Sequence, residues 1–250
     1  MTIAIRFLVL MLPVLPALPV TAAAPPAMIA IVIDDLGYNP QLARQAIDLP
    51  GPVSFGILPD LPQSRELADK AHGLHRDVLL HIPMEPVGDQ LLGPGGLTTS
   101  MNEEEIGTTV TTSLASVPHA IGISNHMGSR FSADETAMRL FLSQFKNRPD
   151  LFYLDSLTTP KSQGRRLATE LGIPVIVRDV FLDNDRGPAA IEKQYMELLG
   201  IAQERGYAIA IAHPYPETLE FLQQHLQALK DGPIRLVPVS LLLTLETGGK

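Results

Sequence analysis

The chain repeats one beat: a short, largely apolar run of strand length, a turn, then a helix-forming stretch. Residues 28–33 read MIAIVI without a polar side chain and stop at Asp34. A continuous apolar run of that length predicts a strand buried on both faces, as in a parallel sheet covered by helices. Comparable runs recur at 53–58, 77–80, 120–124, 151–154, 174–177 and 207–212, with a final one at 236–239. Strict alternation of strand and helix allows an open doubly wound sheet or a closed barrel. The residues after the strands decide between them. Asp34 and Asp35, His81, Asn125 and His126, Asp155, Asp179, and His213 follow six of the first seven runs. An open sheet gathers function at one switch point between two strands. A barrel brings every strand end to one face, so residues spread this widely can converge on one centre. The expected class is therefore α/β, a single-domain (β/α) barrel of seven or eight parallel strands.

Helix boundaries are signalled by caps. Asn102 precedes Glu103, Glu104 and Glu105, acidic residues suited to the positive first turn of a helix running to about residue 116. Residues 132–135 (SADE) read as a capping box for the next helix. Gly172 and Gly206 sit where helices should stop, and Pro188 and Pro216 where helices should start. Residues 88–100 form the one long irregular stretch, short enough to be a loop over a site.

The N-terminus lies outside this pattern. Residues 1–24 carry a single Arg6, an apolar run and then Thr21, Ala22, Ala23 and Ala24, the layout of a secretory signal peptide. Pro13, Pro16 and Pro19 shorten the apolar run below the roughly 20 residues of a membrane span. The expectation is a signal segment over 1–24, a folded domain over 27–250, and a periplasmic or secreted location. There is no cysteine, so an exported domain must rely on its core rather than on disulfides. A net charge of -8 with 5% aromatic residues argues against a nucleic-acid or anionic-membrane partner.

Chemistry can be assigned to the strand ends in turn. Asp34 and Asp35 are adjacent carboxylates that could divide labour, one binding a cation and the other accepting a proton. Each could also be an ordinary turn residue. His81, in HIPMEP, offers an imidazole ligand with Glu85 four residues on. Asn125, His126 and Arg130 form the densest polar cluster, in NHMGSR. No HxxxH or HExxH occurs, so metal ligands would have to come from separate strands. One Asp and two His ligands would leave coordination positions open, as a catalytic zinc site requires. His213, at the end of an apolar run, is a candidate acid. Asp155, Arg178 and Asp179 are candidate supporting residues, with Asp155 or Asp179 holding Arg178 or His213. The sequence at 183–185 (DND) begins like a calcium loop but lacks the closing Glu, and reads as a solvated turn. His72, His75, His119 and His225 fall in helices or ahead of strands, away from the expected face.

Seven segments together, IVIDDLGYN, VSFGILP, HIPMEP, GISNHMGSRF, FYLDS, RDVFLDND and IAHPYPET, resemble the divergent polysaccharide deacetylases, relatives of the NodB-type carbohydrate esterases. The resemblance runs from about residue 31 to 239. It implies a distorted barrel, a divalent metal such as zinc, and hydrolysis of N-acetyl groups on an amino-sugar or peptidoglycan-type polymer. It also implies Asp34 as base, Asp35 as metal ligand and His213 as acid. NodB-type enzymes place two metal histidines four apart, whereas here His81 is followed by Glu85. His126 is the candidate replacement, with Glu85 the second choice. The arginine-proline motif of those enzymes is not reproduced, since residues 125–130 occupy its place. The expected ligand set is Asp35, His81 and His126, with Glu85, Asn125, Arg130, Asp155, Arg178 and Asp179 around the substrate or ligands. The missing histidine leaves a second expectation, a catalytically inactive glycan-binding or scaffold protein of the cell envelope.

Overall fold

A computed structural model describes residues 26–247; the signal segment expected over 1–24 lies outside them. The elements run β1 (Ala27–Leu36), α1 (Pro40–Ile47), β2 (Ser54–Ile57), α2 (Ser64–Gly73), β3 (Val78–Met84) and α3 (Glu103–Ser116). They continue with β4 (Ala120–Met127), α4 (Glu135–Ser143), β5 (Phe152–Asp155), α5 (Gly164–Glu170), β6 (Val175–Val177) and β7 (Val180–Phe181). The chain finishes with α6 (Pro188–Arg205), β8 (Tyr207–Ala212), α7 (Pro216–His225), β9 (Ile234–Leu236) and α8 (Val239–Thr247).

Every named strand pairing is parallel, in the order β6-β5-β4-β3-β2-β1-β8-β7. This is the expected distorted barrel. β9 lies against β1 over Ala27 to Ile29, the stretch that β2 leaves uncovered because its own pairing begins at Val32. The ring closes through one short piece of chain rather than a strand pair. β6 bonds to β5, Arg178 N–H donates to the Asp155 carbonyl, Asp179 N–H donates to the Ile209 carbonyl, and β7 bonds to β8. Sequence reading placed a strand at 174–177, where β6 lies, and missed β7, since two residues give no periodic signal. It also placed the last strand at 236–239, where the structure has β9 ending at Leu236 and α8 starting at Val239.

Strand alternation sorts the core into two layers. Ile29, Ile31 and Ile33 of β1 and Ala208, Ala210 and Ala212 of β8 belong to the outer layer with the helices. Ala30, Val32, Ile209 and Ile211 point inward and fill the barrel with Leu79, Phe152, Leu154 and Ile176. Val237, Val239 and Leu242 complete that inner cluster, so the start of α8 closes the N-terminal end of the barrel. Val239 N–H donates to Ser54 Oγ and Ser240 N–H to Asp77 Oδ2, anchoring the helix start to the strands it covers.

The caps behave largely as expected. Asn102 and Glu105 form a reciprocal capping box, and Gly206 ends α6 in the left-handed conformation. Residues 132–135 do not form the expected box. Phe131–Ala133 is a separate 3-10 turn and Asp134 caps α4 by accepting from Ala137 N–H, one residue pair later than the S-x-x-E pattern implies.

Removing the inner plug should be costly. Leu242→Ala is expected to lower stability by about 2–5 kcal/mol, seen as a lower urea midpoint with an unchanged slope. An unchanged midpoint would show that α8 does not seal the barrel.

Candidate active site

Continuing the inward phase of β1 and β3 by two residues places Asp34 and His81 at the C-terminal mouth, and the β3–β4 register, which pairs His81 with Ser124, puts Ser124 and His126 in the same phase. His81, Asn125 and His126 lie within strands that run further than the apolar pattern indicates, by four residues in β3 and three in β4. Asp35 should point outward by alternation. The β1–β2 register shifts between Ile33 and Leu36, and Asp35 has φ of 62°. The bulge with a left-handed residue turns its carboxylate toward the mouth beside that of Asp34. Aspartate tolerates this conformation better than most side chains.

Asp35 Oδ1 lies 3.1 Å from His81 Nε2 and 2.6 Å from His126 Nδ1. Neither contact has the direction of a hydrogen bond, so this buried oxygen has no hydrogen-bond partner. One ligand atom each from Asp35, His81 and His126 lies within 4.8 Å of the others. Converging donors around an unpartnered carboxylate oxygen fit a divalent cation. Burial alone would raise the Asp35 carboxyl, but His126 and His81 beside it hold it well below the usual carboxylate range.

The far side of His81 supports the same reading. Its Nδ1 is 2.7 Å from Ser124 Oγ and 3.5 Å from Asp34 Oδ2. Assigning the ring proton to Nδ1 serves both oxygens and leaves the Nε2 lone pair toward Asp35, the arrangement that a metal ligand needs. Asp34 is only 1% exposed, and neither carboxylate oxygen is hydrogen-bonded. Burial pushes its pKa up, and the Asp35 charge adds to it. Asp34 Oδ1 rests against Gly56, where a Cβ would come within 1.9 Å of it. A mid-strand glycine of this kind marks a close approach. VSFGILP therefore carried a positional signal that sequence reading did not draw on.

His213, just past β8, has Nε2 3.9 Å from Asp35 Oδ2 and Nδ1 2.8 Å from Asp183 Oδ1. Asp183 is 2% exposed and also accepts from His213 N–H and the Thr218 hydroxyl. The expected solvated turn at 183–185 is therefore corrected: its first residue is the buried carboxylate that orients His213. Burial would lower the His213 pKa, but Asp183, Asp35 and Asp34 outweigh it and raise it to about 9. Phe181 stacks against the His213 ring, and Tyr215 packs at 5.6 Å between centroids.

The supporting residues separate from this centre. Asp179 pairs with Arg205, not with Arg178 or His213. Asp155 accepts from Ser162 Oγ and Leu157 N–H. Arg178 donates to the Ser156 and Leu157 carbonyls and lies over the Phe181 ring. Asn125 accepts from the Tyr153 hydroxyl and Ser156 N–H, tying β4 to β5. Glu85 turns aside to Thr99 and Arg130 and stands outside the three-ligand cluster. His72, His75 and His119 line a hollow with Asp77, Val78 and Ala120 at the opposite end of β3 and β4, away from the mouth.

Two substitutions test this geometry. Ser124→Ala should weaken divalent-metal binding by roughly 10–100-fold in a calorimetric titration, and wild-type affinity would exclude the hydroxyl as a partner of His81. Gly56→Ala should displace the Asp34 carboxylate visibly in a crystal structure, and an unmoved Asp34 would refute the close approach.

A family model for divergent polysaccharide deacetylase matches residues 31–243. The chain is 40% identical to YibQ of Escherichia coli strain K12 over 215 residues, 86% of this chain and 67% of that protein. The crystal structure of ATU2773 from Agrobacterium tumefaciens C58 superimposes with a TM-score of 0.83 at 26% identity, covering 88% of this chain and 91% of that one. A mutant of BA3943 from Bacillus anthracis, described as a CE4 family pseudoenzyme with restored enzymatic activity, shares the fold. Its TM-score is 0.53 at 15% identity, covering 87% of this chain and 68% of that one.

Proposed function

This chain belongs to the divergent polysaccharide deacetylase family, and on that premise we propose that it is a metal-dependent hydrolase removing N-acetyl groups from an amino-sugar polysaccharide of the cell envelope. The observation that carries the reading is the juxtaposition of the Asp35, His81 and His126 cluster with the Asp183-held His213. Asp35, His81 and His126 would hold the ion, and the donor set suits zinc. When bound, such a cation polarises the acetyl carbonyl and makes water more acidic.

The chain's own residues supply the proton transfers. Asp34 has two unpartnered oxygens and a raised pKa, so it can accept a proton from the attacking water. His213, protonated through Asp183 on its Nδ1 side, directs Nε2 toward the centre and can give its proton to the departing sugar nitrogen. Asp183 keeps that ring oriented through the exchange, as a carboxylate commonly does behind a working histidine. The signal-like residues 1–24 support export to the periplasm as part of this proposal. Among the described residues no helix is long and apolar enough to cross a membrane.

Glu85, standing where NodB-type enzymes have a second histidine, favours the alternative of a glycan-binding protein without turnover. The orienting pair of Asp183 and His213 weighs against it, because binding alone does not require a held proton donor.

Acetate release from chitin oligomers and peptidoglycan fragments separates the two readings. Release should stop with chelator, return with zinc, and fall by about 10²–10⁴-fold in Asp34→Asn and His213→Gln. No release from any of these substrates, with glycan binding intact, would leave the binding-only protein standing.

A further inference from the structure

Past the C-terminal ends of β3, β4 and β5 lies an open groove of about 720 Å³. Thr99, Ser129, Arg130, Thr158, Thr159 and Lys161 contribute its polar lining. The groove is continuous in chain with the cluster: Arg130 follows His126 by one turn, and the Thr158 hydroxyl donates to the Met127 carbonyl at 2.9 Å. Its volume falls within the range of small-ligand sites.

The groove presents two cations in unlike settings. Glu85 is fixed by Thr99, whose N–H and hydroxyl both donate to its Oε2 at 2.8 Å. Its other oxygen lies 3.2 Å from Arg130 Nε, so the guanidinium is gripped by one edge. The two terminal nitrogens of Arg130 have no partner among the described residues. Lys161 is held through its backbone, its N–H donating to Thr159 Oγ1 and its carbonyl accepting from Gln163 Nε2, while its ammonium also lacks a partner among the described residues. Asp134, the one carboxylate in the lining, uses Oδ1 to cap α4. Glu85 and Asp134 balance the two charges over the groove as a whole, but the donor heads of Arg130 and Lys161 stay open to a ligand.

A planar guanidinium fork and a nearby ammonium are the chemistry that recognises a carboxylate, while the surrounding hydroxyls suit sugar hydroxyls. The geometry points to a subsite for a carboxylate-bearing sugar unit next to the acetylated one. The preferred substrate is then an acidic amino-sugar polymer rather than a neutral one. This assignment rests on the deacetylase reading of the neighbouring cluster.

Calorimetry with the purified wild-type protein and two tetrasaccharides of equal length tests it. One alternates N-acetylglucosamine with N-acetylmuramic acid bearing free lactyl carboxylates, and the other is N-acetylglucosamine throughout. The acidic oligomer should bind more tightly. Lys161→Gln, an exposed substitution that leaves the core untouched, should weaken it roughly tenfold and leave the neutral oligomer unaffected. Arg130→Lys, which keeps charge but removes the fork, should weaken the acidic oligomer in the same selective way. Equal affinity for both oligomers, binding of neither, or an equal loss for both in Lys161→Gln would overturn the subsite. Selective binding without acetate release would instead keep the subsite and remove the hydrolase reading. Acetate release with no selectivity would do the opposite.

Discussion

Two adjacent aspartates cannot both face one barrel mouth on a regular strand, because neighbouring side chains point to opposite faces. The site depends on breaking that rule once. The bulge between Ile33 and Leu36 places Asp35 in a left-handed conformation, so its carboxylate meets His81 and His126 while Asp34 keeps its inward position. Without the bulge, Asp35 would turn into the outer core and the three candidate ligands would lose their common point. Local strain thus sits where function needs it, and the parallel ladder on both sides of β1 keeps it in place.

The same region carries an electrostatic load that an apolar barrel would not choose. Asp34 is buried with neither oxygen hydrogen-bonded, and Asp35 Oδ1 is likewise unpartnered. Such groups are expensive unless a counter-charge is near. His213 supplies one, held by Asp183 and 3.9 Å from Asp35 Oδ2, with its pKa raised to about 9. A divalent cation at the cluster would neutralise the arrangement further, which links ligand geometry to the stability of the mouth.

The fold was largely legible in the sequence because buried parallel strands are written as uninterrupted apolar runs, and MIAIVI or YAIAIA admits few other readings. The convergence of Asp34, Asp35, His81, His126 and His213 followed from barrel geometry together with the family resemblance. What stayed hidden depends on contacts distant in sequence. Asp183 looked like a solvated turn because nothing local reveals that its neighbour is His213, thirty residues on. Asp179 looked like a partner for Arg178, its neighbour in the chain, but Arg205 at the end of α6 pairs with it instead. Gly56 could have been singled out as a glycine inside a strand, although only the packing shows that Asp34 requires the space.

The central claim is that His126, not Glu85, completes the ligand set begun by Asp35 and His81. Anomalous diffraction at the zinc edge from crystals grown with zinc tests it most directly. The account predicts one strong peak at the mouth, about 2.0–2.2 Å from a ligand atom of each of Asp35, His81 and His126. A peak coordinated by Glu85, or one at the mouth that His126 does not touch, would contradict it.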